Sequence, residues 1–331
     1  MQNMKAKVIF AVTTVVAASS VHAQTLCVFD LLGAQGDSYA LMKDYALAAK
    51  QWGANITLKP YPDERLAVED FKAGQCDAVS LTGIRVHPFN SFVASIDAIG
   101  SVPNNTAAKT ILTLMANPKL APDMVYKNYE VAGVTSYGPA YIMIRDRKIN
   151  SLMKATGIKF GVYDYDKAEA LMVEKMGGQP VASDLMNIGG KFNNGQIDAL
   201  GMPAIGFRPL ELAKGLGTKG GIFRFPVVHV TYDIIIQKNK FPDGYGQNSR
   251  NWVVGLIGRT FETTNKIEKS IDPKYWEELP ANDKLGYIKL MREARISLTN
   301  QGFYDKKMMG LLKKVRCALD PSSFECSLAG E

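Results

Sequence analysis

Histidine is scarce in this chain: three residues in 331, one of them within the first 23. No Cys-x-x-Cys pair occurs, and no Gly-x-Ser-x-Gly, His-Glu-x-x-His or phosphate-binding glycine loop. Without clustered imidazoles or thiolates at ligand spacing, neither a structural zinc site nor metal-assisted hydrolysis is expected. No nucleophile stands beside a base, so no enzyme class is indicated and no cofactor is required. Gly215-Leu-Gly217-Thr-Lys-Gly220 matches the dinucleotide pattern in letters. It follows a helical segment instead of a strand, so it reads as a loop. Basic residues never run in blocks of five or six, and the formal charge of +7 therefore reads as a mildly basic solvated surface without a nucleic-acid footprint. Beyond the first 23 residues no uncharged run approaches membrane-helix length, which argues against a channel or pump.

What is present begins at the N-terminus. Lys5 and Lys7 precede an uncharged apolar run, Val8 to Ala18, and Ser19-Ser-Val-His-Ala23 ends in a small-x-small pattern. This is the grammar of a secretory signal peptide over residues 1–23, with the mature chain starting at Gln24 in the periplasm. Leu26 stands before Cys27 where lipoprotein processing needs a small residue. Cleavage removes two lysines and leaves a chain long enough for one large or two ordinary domains.

Four cysteines, Cys27, Cys76, Cys317 and Cys326, all lie beyond the signal. An even count in an exported chain points to disulfides, with three pairings open. The short Pro-Ser-Ser loop between Cys317 and Cys326 favours joining those two, which leaves Cys27 to join Cys76.

Periodicity gives an α/β chain. Residues 26–31 read as a buried strand, 37–52 as a helix capped by Asp37 or Ser38 and stopped at Gly53, and 56–61 as a second strand. A helix over 63–73 and a strand over 76–81 follow. This β-α-β-α-β order implies a parallel sheet. The pattern restarts with a strand at 159–163 and a helix at 167–176 capped by Asp166. Phe71-Lys-Ala-Gly-Gln-Cys-Asp77-Ala-Val and Phe192-Asn-Asn-Gly-Gln-Ile-Asp198-Ala-Leu repeat one device: helix, glycine stop, Gln-x-Asp-Ala, strand. Two similar lobes are expected, 24–140 with a return strand near 227–250, and 141–226. Strands at 131–135 and 141–145, broken at Tyr137-Gly-Pro139, and a β-rich run at 227–237 would be the hinge. Helices over 251–331 would pack on the lobes.

This two-lobed layout, with Lys191-Phe-Asn-Asn-Gly-Gln-Ile-Asp198-Ala and Tyr232-Asp-Ile-Ile-Ile-Gln-Lys-Asn-Lys-Phe-Pro242, resembles the periplasmic solute-binding proteins of TRAP-type transporters. In that family an arginine in a Lys-x-Arg-Val strand pairs with a ligand carboxylate. Here Lys159-Phe-Gly161-Val places a glycine there, which puts the usual mode of acid binding in doubt. Leu26-Cys-Val-Phe-Asp-Leu-Leu-Gly-Ala-Gln-Gly-Asp37, Thr82-Gly-Ile-Arg85 and Ser95-Ile-Asp-Ala-Ile-Gly100 resemble a narrower family, the AdeT solute-binding proteins, which is linked to RND-type efflux and aminoglycoside resistance. The resemblance implies a small-molecule ligand and an inner-membrane transporter or efflux-pump subunit as partner. The chain has neither the length nor the membrane helices of an RND pump, so at most it captures solute for one.

Ligands in such folds bind beyond the carboxyl ends of parallel strands. That rule selects Asp30 and Gly36 after the first strand, Glu64 and Arg65 after the second, and Thr82 and Arg85 after the third. Tyr165, then Met202 and Phe207, follow strands of the second lobe. Arg85 is the strongest candidate, a guanidinium for an anionic ligand group; its structural alternative is a tie to Asp30 or Asp97. Tyr137, Tyr141, Tyr163, Tyr165 and Tyr232 cluster near the crossovers, where aromatic rings stack on a sugar or cover a cation, or simply pack. Asp37 and Asp166 read as helix caps, His229 as a core or hinge residue, and His87 as an exposed loop residue. Two other readings stay open: a periplasmic adaptor that binds no small molecule, and an exported enzyme.

Overall fold

A computed structural model describes residues 23–151 and 153–331; the signal peptide expected over residues 1–23 falls, but for its last residue, outside the described residues. Ten strands form one sheet: β1 (Gln24–Phe29), β2 (Ile56–Tyr61), β3 (Ala78–Thr82), β4 (Val125–Tyr126), β5 (Tyr129–Ile144), β6 (Lys159–Tyr163), β7 (Gln179–Ser183), β8 (Ala199–Pro203), β9 (Gly221–Gln237) and β10 (Trp276–Glu277). The main path runs β2-β1-β3-β9-β5-β8-β6-β7. β1, β2 and β3 are parallel, as are β6, β7 and β8. The long antiparallel pair β5–β9 lies between the two parallel sets and belongs to both halves.

The helices are α1 (Asp37–Ala49), α2 (Glu64–Lys72), α3 (Ser91–Ala94), α4 (Asn105–Leu114), α5 (Lys167–Lys175), α6 (Leu185–Asn193), α7 (Leu212–Leu216), α8 (Tyr245–Val254), α9 (Ile257–Lys269), α10 (Ala281–Asn300) and α11 (Lys306–Leu319). The two repeated sequence motifs do the same work in each half. Gly74 and Gly195 take φ of +75° and +73° and stop α2 and α6, a backbone that side-chain-bearing residues resist. Three residues on, Asp77 accepts the Thr25 N–H at 2.9 Å, and Asp198 accepts the Lys159 N–H at 2.8 Å. Each aspartate thus pins the start of its half's inner strand.

The strand break expected at Tyr137-Gly-Pro139 is absent. β5 continues through it, because the register shifts between Ser136 and Gly138 and Gly138 adopts φ of +111°. A bulge lets a proline without N–H sit in an interior strand. Both disulfides form as the sequence favoured, Cys27 with Cys76 and Cys317 with Cys326. The core lies on both faces of the sheet; Leu26, Val28 and Phe29 of β1 are fully buried, each contributing about 1.5–3 kcal/mol. No helix among the described residues is long and apolar enough to cross a membrane.

Candidate functional site

The loops at the carboxyl ends of β1, β2, β3, β6 and β8 converge where the two halves meet. Glu64 opens α2 and lies on that helix's buried stripe with Ala67, Val68 and Phe71. Its side chain is 1% exposed. Oε1 accepts the Thr82 N–H at 2.6 Å, and Oε2 has no hydrogen-bond partner. Burial pushes the carboxyl upward; the Thr82 N–H and the Arg85 charge pull it back. Arg85 comes from the turn after β3. Its Nε faces Glu64 Oε2 at 3.6 Å and is likewise without a hydrogen bond. Its guanidinium carbon lies 3.4 Å from the centre of the Tyr165 ring, and Tyr165 stacks on Tyr163 at 5.3 Å. Arg85 and Tyr165 come from opposite halves, so this cation–π contact spans the cleft.

Beneath the contact lies a void of about 30 Å³. Glu64 and Thr82 border it with Tyr137, Tyr163, Tyr165 and Met202. Phe29, Leu31, Ile84, Leu185, Ile205 and Val230 complete most of an apolar wall. Two further voids of about 70 Å³ each adjoin it. One, bordered by Asp37, Ser38, Thr135 and Arg259, shares Tyr137 and Ile205 with it. The other shares Ile84, Tyr163, Pro203 and Val230, is largely apolar, and includes Asp97, Asp166 and Glu169. Burial raises the pKa of all three carboxyls, that of Asp97 to about 8.

Other candidates stand elsewhere. Asp30 is turned into its own loop, accepting N–H groups of Leu32, Ser38 and Tyr39 at 2.9, 2.9 and 3.2 Å. It therefore serves the first turn of α1, the role expected of Asp37; the N-cap position is Gly36, with no side-chain cap of its own. A Cβ at Gly36 would overlap the Asp30 carboxylate. Arg65 is solvent-exposed and pairs with Glu69 and Asp63. Tyr141 donates its hydroxyl proton to Glu268 at 2.9 Å and meets Trp276 edge-on. Phe207 packs near Tyr275. Tyr232 donates to the Phe29 carbonyl at 2.6 Å and stacks on Tyr137 at 5.6 Å, bordering the second void. Asp166 caps α5 through the Ala168 and Glu169 N–H groups.

His229 is buried against Ser136 at 2.9 Å, and burial lowers its pKa to about 4. His87, expected to be exposed, instead lies 4.3 Å ring to ring from Phe303, and burial lowers its pKa to about 4 as well. At Gly161, where the sequence resemblance would place the TRAP arginine, a Cβ would overlap Ile197 and press on Ile188. Among the described residues no group of His, Cys, Asp or Glu is placed to hold a metal ion.

Glu64 was named in the sequence only as one residue of a loop. The available signal was its place on the stripe 64, 67, 68, 71: a carboxylate on the apolar face of an amphipathic helix needs a reason to be there.

The profile of the family described as "Solute-binding protein AdeT 1/2" matches residues 46–331. The solute-binding protein AdeT1 of Acinetobacter baumannii is 50% identical over 303 residues, covering 92% of this chain and all of that protein. Among solved structures, the TRAP periplasmic solute-binding protein of Desulfovibrio salexigens with bound orotic acid superposes with a TM-score of 0.73 at 13% identity, over 90% of this chain and 99% of that one. That of Ralstonia eutropha with bound acetolactate gives 0.73 at 11% identity, over 89% and 99%. These likenesses establish the two-lobed fold.

Proposed function

The chain belongs to the AdeT 1/2 family of solute-binding proteins, and from that premise we propose that it captures a small molecule in the periplasm, in the cleft between its two lobes. The division of the chain into lobes 24–140 and 141–226, joined through β5 and β9, is part of this proposal. The observation that carries it is the central void, whose wall comes from both halves and includes Glu64 and Tyr165, the two side chains that Arg85 contacts. Opening the lobes separates Arg85 from Tyr165 and exposes the void; closing around a ligand restores the contact. The ligand's differential affinity for the closed form supplies the shift in population, and an inner-membrane transporter reads that form. Thr82, Tyr137, Tyr163, Tyr165, Met202 and Arg85 are the ligand-facing residues in this reading.

Native mass spectrometry of the mature protein, gently prepared from a periplasmic extract, tests it. A stoichiometric added mass that vanishes on denaturation is the expected result. Tyr165→Ala should lower the affinity for that ligand about tenfold, the loss of one desolvated cation–π contact, with unfolding unchanged. An apo mass that no extract fraction shifts favours an adaptor role instead. A direct aminoglycoside link requires a mass shift with kanamycin; without one, any part in resistance or efflux runs through another solute.

A further inference from the structure

The charges in the cleft restrict what it holds. The lining of the central void includes one charged side chain, Glu64, and no lysine or arginine. Arg85, the guanidinium behind it, already faces the Glu64 carboxylate at 3.6 Å. Its charge is balanced before any ligand arrives. The second cation that TRAP-type acid binding would use has no room, because Ile197 and Ile188 occupy the space in front of Gly161. The adjoining apolar void adds Asp97, Asp166 and Glu169 and again no lysine or arginine, and the other adjoining void is bordered by Arg259, which already pairs with Asp44. A free carboxylate entering here would bring a negative charge against Glu64 without an unpaired cation to meet it, and uncompensated charge in a desolvated site is costly.

The same pair leaves one acceptor and one donor unused. Glu64 Oε2 and Arg85 Nε are both buried, and neither makes a hydrogen bond. A cation without an acceptor would serve Oε2 and leave Nε–H unmet. The neighbouring carboxyls are already engaged: Asp97, Asp166 and Glu169 accept backbone N–H groups of Thr231, Ala168 and Tyr163 respectively, and burial raises the pKa of all three. The rest of the wall is aromatic or aliphatic.

We propose that the cleft selects a net-neutral small molecule with a hydrogen-bond donor beside an acceptor and an apolar body, the donor meeting Glu64 Oε2 and the acceptor meeting Arg85 Nε–H. A zwitterionic amino acid and an uncharged amide share this chemistry. The proposal rests on the reading of the cleft as the ligand site. Size agrees: the central void measures about 30 Å³ and its apolar neighbour about 70 Å³, which suits a compact head and a short apolar body.

Two matched series test it by calorimetry on the mature protein: leucine, isocaproamide, isocaproate and isoamylamine; then phenylalanine, hydrocinnamamide, hydrocinnamate and phenethylamine. Within a series the zwitterion or the amide should bind at least about tenfold tighter than acid and amine, and Glu64→Gln should invert the preference toward the acid. Thr82 N–H keeps its acceptor in that variant, so it should fold with only a modest loss of melting temperature; a Glu64→Gln protein that folds and prefers the neutral members unchanged overturns the proposal. So does an acid or amine that binds as tightly as its neutral counterparts. If no member binds, the mass captured from the extract decides. A net-neutral ligand sustains the inference, whereas an anionic or cationic one overturns it and leaves the cleft reading standing. If nothing is captured either, the cleft reading falls and takes the inference with it.

Discussion

Two buried sets of charges sit in this molecule and are treated in opposite ways. Near the C-terminus Arg295 and Arg316 meet Glu325 and Glu331, all four side chains at most 6% exposed. Arg295 binds Glu325 at 2.6 Å, the Ile99 carbonyl at 2.9 Å, and Glu331. Arg316 binds Glu325 at 3.1 Å, Glu331 at 2.6 Å and the Ser101 carbonyl at 2.9 Å. The tail is thereby fastened to α10, α11 and the 99–101 loop. Between the two halves, Glu64 borders a void, and its Oε2 stands 3.6 Å from Arg85 Nε with neither atom in a hydrogen bond. A network with its bonds made holds structure together; a pair left incomplete beside empty space is equipped to receive something.

The contrast breaks most visibly at Arg295. Arg295→Ala leaves the two buried carboxylates Glu325 and Glu331 to share Arg316 alone and should cost about 3–5 kcal/mol in urea unfolding, with ligand affinity of the folded protein unchanged. Glu64→Gln, which keeps the Thr82 bond, should cost less than half of that. The reverse ranking would remove the distinction between clamp and cleft. Replacing both Cys317 and Cys326 by serine opens a loop with a sequence separation of 9 and should cost about 2.5 kcal/mol. The charge clamp then holds the tail alone, and the tail's amide exchange should stay slow.

A third test uses pH. Burial raises the Asp97 carboxyl from 3.8 to about 8, and burial also raises that of Asp233 well above the ordinary carboxylate value. Between those values the folded protein binds more protons than the unfolded chain. The stabilisation is therefore full below the unfolded value near 3.8 and is lost as pH rises through about 8, with a slope of at most about 1.4 kcal/mol per pH unit for each proton. Asp97→Asn should flatten the stability-versus-pH curve over that window. A curve of the same slope in the variant would place the proton elsewhere. The smallest effect belongs to Arg65, exposed and paired only with its own helix and cap: Arg65→Ala should change neither stability nor affinity measurably, and a clear loss of affinity would extend the site to the cleft rim.

Much of the fold was legible because its causes are local. Apolar spacing marked β1, α1, β2 and α2, and the Gly-Gln-x-Asp repeat marked the matching turns of both halves, down to the aspartates that pin β1 and β6. The closeness of two cysteines along the chain favoured the right disulfide pairing. β5 was read as broken because a proline ordinarily ends a strand, and only its pairing with β9 shows that a bulge absorbs it. The site was legible in part. The rule that ligands lie beyond strand ends gathered Thr82, Arg85, Tyr165 and Met202 but also Arg65, and the tyrosine cluster at the crossovers gave Tyr163 but also Tyr141; the side chains of Arg65 and Tyr141 turn to other partners.

The sequence by itself determined the order and type of the elements, since periodicity, caps and glycine stops act within a few residues of one another. Only the tertiary structure decided which charges meet. Glu64 with Arg85, and Arg295 with Glu325 and Glu331, are far apart along the chain, and whether a carboxylate is satisfied depends on long-range packing and burial that no local pattern encodes.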